Sequence, residues 1–264
     1  MASNTISIAG VKKPVIQGAA AFSKGIAVLQ MIFEAKTPPT LNELVKQSGM
    51  TRPTMHRILK ALAAENLVVS GTGKTYKLGS RLIQFSAKAL EHNEIAQIGA
   101  PILDWLCQQT QEAVHLATVS GRDMVYLAKR DSPQVVRIAT SVGGRVIVHG
   151  SAIGKSILAF LPEAERQEIL ENMEYTQFTK NTARNETQLR QQLSEIRELG
   201  YAVSDEESHS DIFCFAAPIF DHNQKVAGAV SVSVPKFRLK ANRRVYLSPL
   251  IKSCTEISKK IGAV

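Results

Sequence analysis

The apolar positions in the first third of the chain predict three short helices. Apolar side chains recur at helical spacing over residues 22–33 and predict a first amphipathic helix, whose buried stripe would be Phe22, Ile26, Leu29 and Phe33. Pro38 and Pro39 end this pattern. Thr40 and Glu43 then have the spacing of a capping box, in which each side chain satisfies a free backbone N–H at the start of a second helix.

The second and third predicted helices are separated by a tight turn. The buried stripe of the second helix would be Leu41, Leu44 and Val45. Gly49 follows it, at a position where the chain commonly needs a positive φ. Thr51 is then placed to cap a third helix with Pro53 in its first turn, where a missing N–H does no harm. The face of this helix committed to the core would be Met55, Ile58, Leu59 and Leu62.

After Asn66 the pattern changes from helix to strand. Residues 67–70 and 74–78 read as two short strands around a glycine-rich hairpin turn, Gly71-Thr72-Gly73. Residues 82–106 are helical again, and the first half of this helix is expected to link two domains.

The rest of the chain mixes strands and helices. Strand-like runs lie at 114–120, 124–130, 135–140, 214–220 and 226–234, and helical runs lie at 151–160, 163–172, 186–199 and 243–261. This order indicates an α+β domain built around an antiparallel sheet.

Residues 41–60 have the features of a helix-turn-helix: two short helices, a glycine turn, and a polar, basic free face on the second helix. The hairpin that follows would form a wing able to reach the DNA backbone. Arginine reads guanine or grips phosphate, and threonine and histidine contact phosphates or base edges. The side chains predicted to contact DNA are Arg52, Pro53, Thr54, His56, Arg57, Lys60, Lys74 and Lys77.

The distribution of charge agrees with this prediction. The 264 residues carry a net charge of +9, of which residues 1–92 hold 12 Lys or Arg against 4 Glu, which gives +8. The remaining residues are nearly neutral. A basic N-terminal third indicates contact with a polyanion there, although a solvated basic surface would have the same composition.

Catalytic, metal-binding and membrane motifs do not emerge. The Gly-Lys-Ser at 154–156 and the Gly-Lys-Thr at 73–75 lack the first glycine of a phosphate-binding loop, because His149 and Val68 stand at those positions. Asp205, Glu206 and Glu207 are read as a solvated acidic loop. We therefore expect no enzyme, no cofactor and no metal. No apolar run approaches the ~18 residues of a membrane span, and the three dispersed cysteines fit a reducing cytoplasm.

The order of these segments resembles the IclR family of transcriptional regulators. TLNELVKQSGMTRPTMHRILKALAAENLV and YKLGSRL are similar to its N-terminal domain. HGSAIGKSILAFL, LGYAVSDEES and CFAAPIFDHNQKVAGAVSVSVP are similar to its effector domain. The resemblance implies a winged helix-turn-helix domain that binds an operator in double-stranded DNA. It also implies a linker helix and a GAF-like domain that binds a small-molecule effector and assembles into homodimers or homotetramers.

The resemblance predicts both the domain boundaries and the effector site. The expected segments are a flexible arm (1–14), the DNA-binding domain (15–80), the linker helix (81–98) and the effector domain (99–264). The effector residues carried over from the family are Val135, Ile138, Ala152, Ile153, Ser204, Cys214, Ser231 and Ser233.

The residues themselves support part of this site. Ser151 is placed to cap the helix at 151–160, whose free N–H groups suit an anion. Ser231 and Ser233 share one face of a strand. Cys214 is equally consistent with a buried core thiol, and the two serines with satisfying backbone groups. The expected ligand is a small organic acid. Asp211, where the family usually has glycine, would repel an acid if it entered the site. The alternative is a C-terminal domain that only oligomerises or binds a protein partner.

Overall fold

The computed structural model describes residues 7–8, 11–12, 19–121, 123–134 and 140–263. The chain divides into two compact units, Met1–Ala89 and Leu90–Val264, here called the N-terminal unit and the C-terminal unit. The division falls within the segment predicted to be the linker. Most of the predicted arm, 1–14, lies outside the described residues; two strands in it, β1 (Ser7–Ile8) and β2 (Val11–Lys12), pair antiparallel. In the described ranges, no helix combines the length and the apolar character needed to span a membrane.

The N-terminal unit contains three helices and a two-stranded hairpin. Its elements are α1 (Ala20–Glu34), α2 (Leu41–Ser48), α3 (Arg52–Ala64), β3 (Val68–Ser70) and β4 (Tyr76–Leu78). The capping box is present, since Thr40 Oγ1 accepts from Glu43 N and the Glu43 carboxylate accepts from Thr40 N at 2.7 Å. Gly49 adopts φ +67° at the end of α2, as its place in the turn requires. The α2–α3 pair therefore forms where the sequence predicts it.

Two local predictions in this unit are wrong. Helix α1 buries Ala27, Val28, Met31 and Ile32, whereas Phe22, Ile26 and Phe33 are exposed. The helix is apolar on more than one side, so helical spacing alone could not identify the buried one. Thr51 occupies the cap position of α3, but its side chain caps no backbone N–H; it donates to Thr54 Oγ1 at 2.9 Å.

The C-terminal unit is an antiparallel sheet with helices on both faces. Helix α4 (Ser80–Glu91) crosses the division between the units. The remaining elements are α5 (Glu94–Thr110), β5 (Ala113–Ser120), β6 (Asp123–Arg130), α6 (Ala152–Phe160), α7 (Glu163–Glu171), α8 (Glu186–Leu199), β7 (Ala202–Asp205), β8 (Ile212–Phe220), β9 (Val226–Pro235) and α9 (Arg244–Lys260). The strand order is β6-β5-β9-β8-β7.

Three element predictions need correction or qualification. The single helix expected over 82–106 is two helices, because Asn93 interrupts it and caps α5 by accepting from Ala96 N at 2.9 Å. The sequence analysis missed β7, which has four residues and pairs with one neighbour only. The strand expected at 135–140 falls on residues of which only Thr140 is described, and Thr140 lies outside any strand.

Alternation along the strands divides the sheet into two different faces. One face carries large apolar side chains, such as Leu116, Phe215 and Val232, which pack with residues of α5 and α9. The other face carries Ala117, Ala216 and Ala229, which pack with residues of α6 and α8. Small side chains let α6 approach the sheet closely. Gly154 in α6 serves the same purpose, because a Cβ there would lie 2.7 Å from the Val148 backbone.

A buried ion pair joins α6 to the loop after β7. Lys155 Nζ lies 2.6 and 2.7 Å from the two carboxylate oxygens of Glu207 and 3.2 Å from Gln192 Oε1. Burial lowers the pKa of Lys155 and raises that of Glu207, while the attraction between the two charges opposes both shifts. Glu207 is therefore not part of a solvated acidic loop, contrary to the sequence-based prediction.

We predict that removing one member of this pair destabilises the C-terminal unit strongly. Glu207→Leu and Lys155→Met should each lower the free energy of unfolding by about 3–5 kcal/mol, because each leaves an uncompensated buried charge. The double variant should lose less than either single variant. Urea denaturation followed by circular dichroism measures these differences.

Glu256→Ala provides the control, because Glu256 forms an exposed i,i+4 pair with Lys260. Its loss should change the free energy of unfolding by about 0.5 kcal/mol or less. A Glu207→Leu variant no less stable than Glu256→Ala would contradict the structural role of the buried pair.

Candidate nucleic-acid interface and ligand cavity

The start of α3 and the β3–β4 hairpin share one surface groove. Arg52, Pro53 and His56 line it from α3, and Gly73 and Lys74 line it from the hairpin turn. The turn is a single 3₁₀ turn at Thr72–Lys74, in which Gly73 and Lys74 both have positive φ. The fold thus brings together four of the predicted DNA contacts, Arg52, Pro53, His56 and Lys74.

The other predicted DNA contacts lie outside this groove. Thr54 and Arg57 line a second groove, between α3 and α1. Lys60 and Lys77 are exposed and line neither groove. Within the described part of the chain, no acidic side chain pairs with Arg57, Lys60, Lys74 or Lys77. These four cations are available to phosphates.

Asn42 is a contact that the sequence analysis did not anticipate. Its side-chain oxygen accepts a hydrogen bond from the Arg52 guanidinium, and Asn42 lines the same groove as Arg52. Asn42 belongs to α2 and Arg52 to α3, so the bond spans the turn of the motif and restrains the arginine. Ten residues separate the two, and no helical period relates them.

A cavity of about 290 Å³ lies in the C-terminal unit, beside the start of α6. Five of the predicted effector residues line it: Ala152, Ile153, Cys214, Ser231 and Ser233. Val135 and Ile138 lie outside the described residues. Ser204 does not line the cavity, because its buried hydroxyl instead donates to the Gly150 carbonyl at 3.2 Å.

The start of α6 presents backbone donors to the cavity. Ser151 Oγ accepts from Gly154 N at 3.1 Å and donates to Ile147 O at 2.6 Å, which holds the first turn in place. The N–H groups of Ala152 and Ile153 lie at the positive end of the helix, where an anion is stabilised. This end of the cavity is suited to a carboxylate.

Cys214 and Ser233 form part of the cavity floor. The two residues are paired across β8 and β9, and the thiol Sγ donates to Ser233 Oγ at 3.3 Å. Burial raises the pKa of the Cys214 thiol to about 11, so it stays protonated at neutral pH. Cys214 is therefore a neutral wall residue with a hydrogen-bonding hydrogen, and its position does not suit it as a nucleophile.

The sequence analysis missed half of the cavity lining. The additional side chains come from β5, β6 and the segments beyond them: His115, Tyr126, Thr140, Arg145, Ile147, His209 and Ile212. Histidine and tyrosine inside a strand carry no pattern that distinguishes a cavity from a core. The register of β5 against β9, which sets His115 opposite Ser231, was needed to find them.

Asp211 stays outside the cavity. It is exposed, does not line the cavity, and has φ +61°, a left-handed conformation that favours glycine. Its N–H donates to Glu206 Oε2 at 2.9 Å. The electrostatic objection to an acidic ligand is therefore removed.

Known families match nearly the whole chain. Residues 21–70 match the IclR helix-turn-helix domain, and residues 87–259 match the bacterial transcriptional regulator IclR C-terminal domain. The regulator KipR of Bacillus subtilis is 30% identical over 240 residues, which cover 90% of this chain and 96% of KipR.

Solved structures agree with this match. The Thermotoga maritima IclR structure is 30% identical, with a TM-score of 0.70, and the match covers 91% of this chain and 98% of that one. An IclR homologue from Microbacterium hydrocarbonoxydans, complexed with 4-hydroxybenzoate, has the same fold at 20% identity, with a TM-score of 0.77 and coverage of 92% and 99%.

Proposed function

The chain belongs to the IclR family of bacterial transcriptional regulators, and on that basis we propose that a small organic acid bound in the C-terminal unit controls its binding to an operator. The matched families are families of regulators, so the chain is assigned no catalytic activity. We place its action in the cytoplasm, where bacterial operators lie.

The observation that carries the DNA-binding half of this proposal is the shared groove of α3 and the hairpin. Arg52, His56 and Lys74 converge there from two elements. A helix that enters the major groove beside a wing that reaches the backbone needs this arrangement. On α3, the residues farthest from the buried Met55 and Leu59 are Arg57, Pro53 and Lys60. We assign base reading to Arg57 and phosphate contact to Lys74.

The observation that carries the effector half is the cavity at the start of α6. Backbone donors at Ala152 and Ile153 lie at one end, and the hydroxyls of Ser231 and Ser233 lie on the floor. The described walls contribute apolar atoms from Ile147, Ile153 and Ile212. A carboxylate with a short carbon skeleton fits this combination. The ligand of the Microbacterium homologue, 4-hydroxybenzoate, belongs to the same chemical class.

We predict that Arg57→Ala and Lys74→Ala weaken DNA binding in different ways. Arg57→Ala should cost about 1–3 kcal/mol on the operator and little on unrelated DNA, because a base contact is lost. Lys74→Ala should weaken binding equally on both and reduce the salt slope by about 1, because a phosphate contact is lost. Fluorescence anisotropy at several salt concentrations measures both effects, on an operator first located by footprinting the DNA beside the gene.

Lys36→Ala is the matched control, because it removes the same charge from an exposed position outside both grooves. It should leave operator specificity unchanged. Unaltered affinity in both the Arg57 and the Lys74 variants would refute the assignment.

We also propose that the protein acts as a homodimer or homotetramer, and α4 supplies the reason. Helix α4 buries none of its side chains in the described structure, and Phe85 on it is 54% exposed. Leu82 lies three residues away on the same face. One recognition helix also covers too few base pairs for a unique site, so two-fold pairing is expected.

The oligomer makes a direct prediction for α4. Light scattering at micromolar concentration should find at least a dimer, and Phe85→Glu should shift the equilibrium towards smaller species because it places a charge in a covered apolar face. Gln84→Glu adds the same charge to an exposed polar position of α4 and should have a smaller effect. A parent protein that is monomeric and binds the operator as a monomer would contradict the proposal.

A carboxylate effector should raise the melting temperature of the protein. At 100 times its Kd a ligand stabilises the folded state by about 2.7 kcal/mol, which thermal unfolding detects. The double variant Ser231→Ala/Ser233→Ala should lose this shift and keep its DNA binding in the absence of ligand. Panels of aliphatic and aromatic carboxylates, with 4-hydroxybenzoate among them, are the probes.

Ser253→Ala is the matched control for the serine variants. Ser253 is also buried in the C-terminal unit, but it lies on α9 and its hydroxyl has no hydrogen-bond partner in the described structure. Its variant should retain the full ligand shift. If no carboxylate gives a shift, a C-terminal unit that only oligomerises or binds a protein is favoured instead.

A further inference from the structure

The cavity has a second polar end, away from the start of α6. Cys214 and Ser233 are paired across β8 and β9, and Ser231 and His115 are paired one step further along, across β9 and β5. Tyr126 follows on β6, opposite Ala117. Neighbouring strands are about 4.8 Å apart, so the backbones of Cys214 and His115, two strands apart, are separated by about 10 Å. The polar floor therefore extends well beyond the first turn of α6.

The second polar end contains hydrogen-bonding groups that the protein does not fully use. The His115 side chain is 3% exposed, and its Nε2 lies 2.9 Å from Thr140 Oγ1. Ser231 is 4% exposed and lines the cavity, and within the described residues its hydroxyl makes no hydrogen bond. A buried hydroxyl without a partner is unfavourable, so a ligand atom that bonds to it is stabilised.

The groups at this end are polar but uncharged. Burial lowers the pKa of His115 to about 4, and the nearby Lys129 lowers it further while Asp131 opposes the shift, so the imidazole is neutral at pH 7. Burial likewise raises the pKa of the Tyr126 phenol to about 12. The two nearest cations are already paired, Lys129 with Asp131 at 3.0 Å and Arg145 with Asp123 at 2.8 Å.

We propose that His115 is a specificity-determining residue and that the effector is a monocarboxylic acid with a hydroxyl or carbonyl oxygen at its far end, bound by His115 and Ser231. The inference rests on the proposed function, because it assigns the carboxylate to the start of α6. A neutral imidazole donates to or accepts from a hydroxyl and donates to a carbonyl. A second carboxylate finds no unpaired cation at this end and would be desolvated without compensation. The site therefore selects against dicarboxylic acids.

Matched ligand pairs test this proposal on the full-length protein. Isothermal titration calorimetry compares 4-hydroxybenzoate with benzoate, and 4-hydroxybutanoate with butanoate, with terephthalate and succinate as the dicarboxylates. The hydroxylated member of at least one pair should bind ten times more tightly or better than its unsubstituted partner and than the corresponding dicarboxylate.

Variants of His115 then assign the preference to this residue. His115→Phe should bring the affinity ratio of that pair close to one by weakening only the hydroxylated ligand, and His115→Gln should retain part of the ratio because it keeps a hydrogen-bonding side chain. A residue that only supports the fold would weaken both members equally. Where His115→Phe fails to fold, Ser231→Ala serves in its place, with the same expected loss of ratio.

Each outcome leads to a definite conclusion. Equal binding of both members in every pair, or an equal loss for both in His115→Phe, overturns the role of His115 and leaves the carboxylate site at α6 intact. Stronger binding of a dicarboxylate overturns the chemical class. Absence of binding by every carboxylate overturns the proposed function itself, and this inference with it.

Discussion

The close seating of α6 on the sheet is the constraint on which the C-terminal unit depends. Ala117, Ala216 and Ala229 keep the sheet surface low beneath the helix, and Gly154 lets the helix approach the Val148 backbone. Large side chains on this face would lift α6 and remove the contact between its first turn and the cavity. The opposite face of the same strands is filled with large apolar groups, which supply the hydrophobic stability. One strand face therefore stabilises the unit and the other is left available for a ligand.

The Lys155–Glu207 pair secures the same arrangement from the side. Lys155 belongs to α6, and Glu207 belongs to the loop that continues into Ser208 and His209 on the cavity wall. The Glu207 carbonyl also accepts from Thr182 Oγ1 at 2.5 Å, so this residue is held by both its backbone and its side chain. A buried ion pair adds little net stability compared with apolar residues, but it has strict geometric requirements. Its consequence here is that the cavity wall and the helix that supplies the backbone donors form one rigid assembly.

In the N-terminal unit the corresponding constraint is the turn at Gly49. Its left-handed conformation sets the angle between α2 and α3, and the bond from Arg52 to Asn42 crosses that turn. The groove of α3 and the hairpin then needs no ligand-induced assembly, because Arg52 and Lys74 already lie along it. The two units thus solve related problems. Each positions polar groups for an anion, the phosphates of DNA in one unit and a carboxylate in the other, on elements whose geometry is held by packing.

The sequence by itself determined the features that depend on neighbouring residues. The capping box at Thr40 and Glu43, the turn at Gly49 and most of the strands and helices follow from short-range spacing, and so does the sharing of one strand face by Ser231 and Ser233. The family resemblance added Cys214, Ala152 and Ile153, which line the cavity, and Ser204, which does not. The start of α6 was correctly identified because a cap and a free N-terminus are local properties.

Tertiary structure alone decided which of several equivalent local patterns is used. Helix α1 has more than one apolar face, and only packing against α3 selected Val28 and Ile32 over Phe22 and Phe33. Glu207 lies in an acidic run that looks solvated, and only its contact with Lys155, 52 residues away, makes it a buried partner. His115 became a cavity residue because β5 pairs with β9 in a register that sets it opposite Ser231. Periodicity reports how one element repeats, whereas burial and pairing depend on which distant element covers it, and that information is absent from the spacing of any single segment.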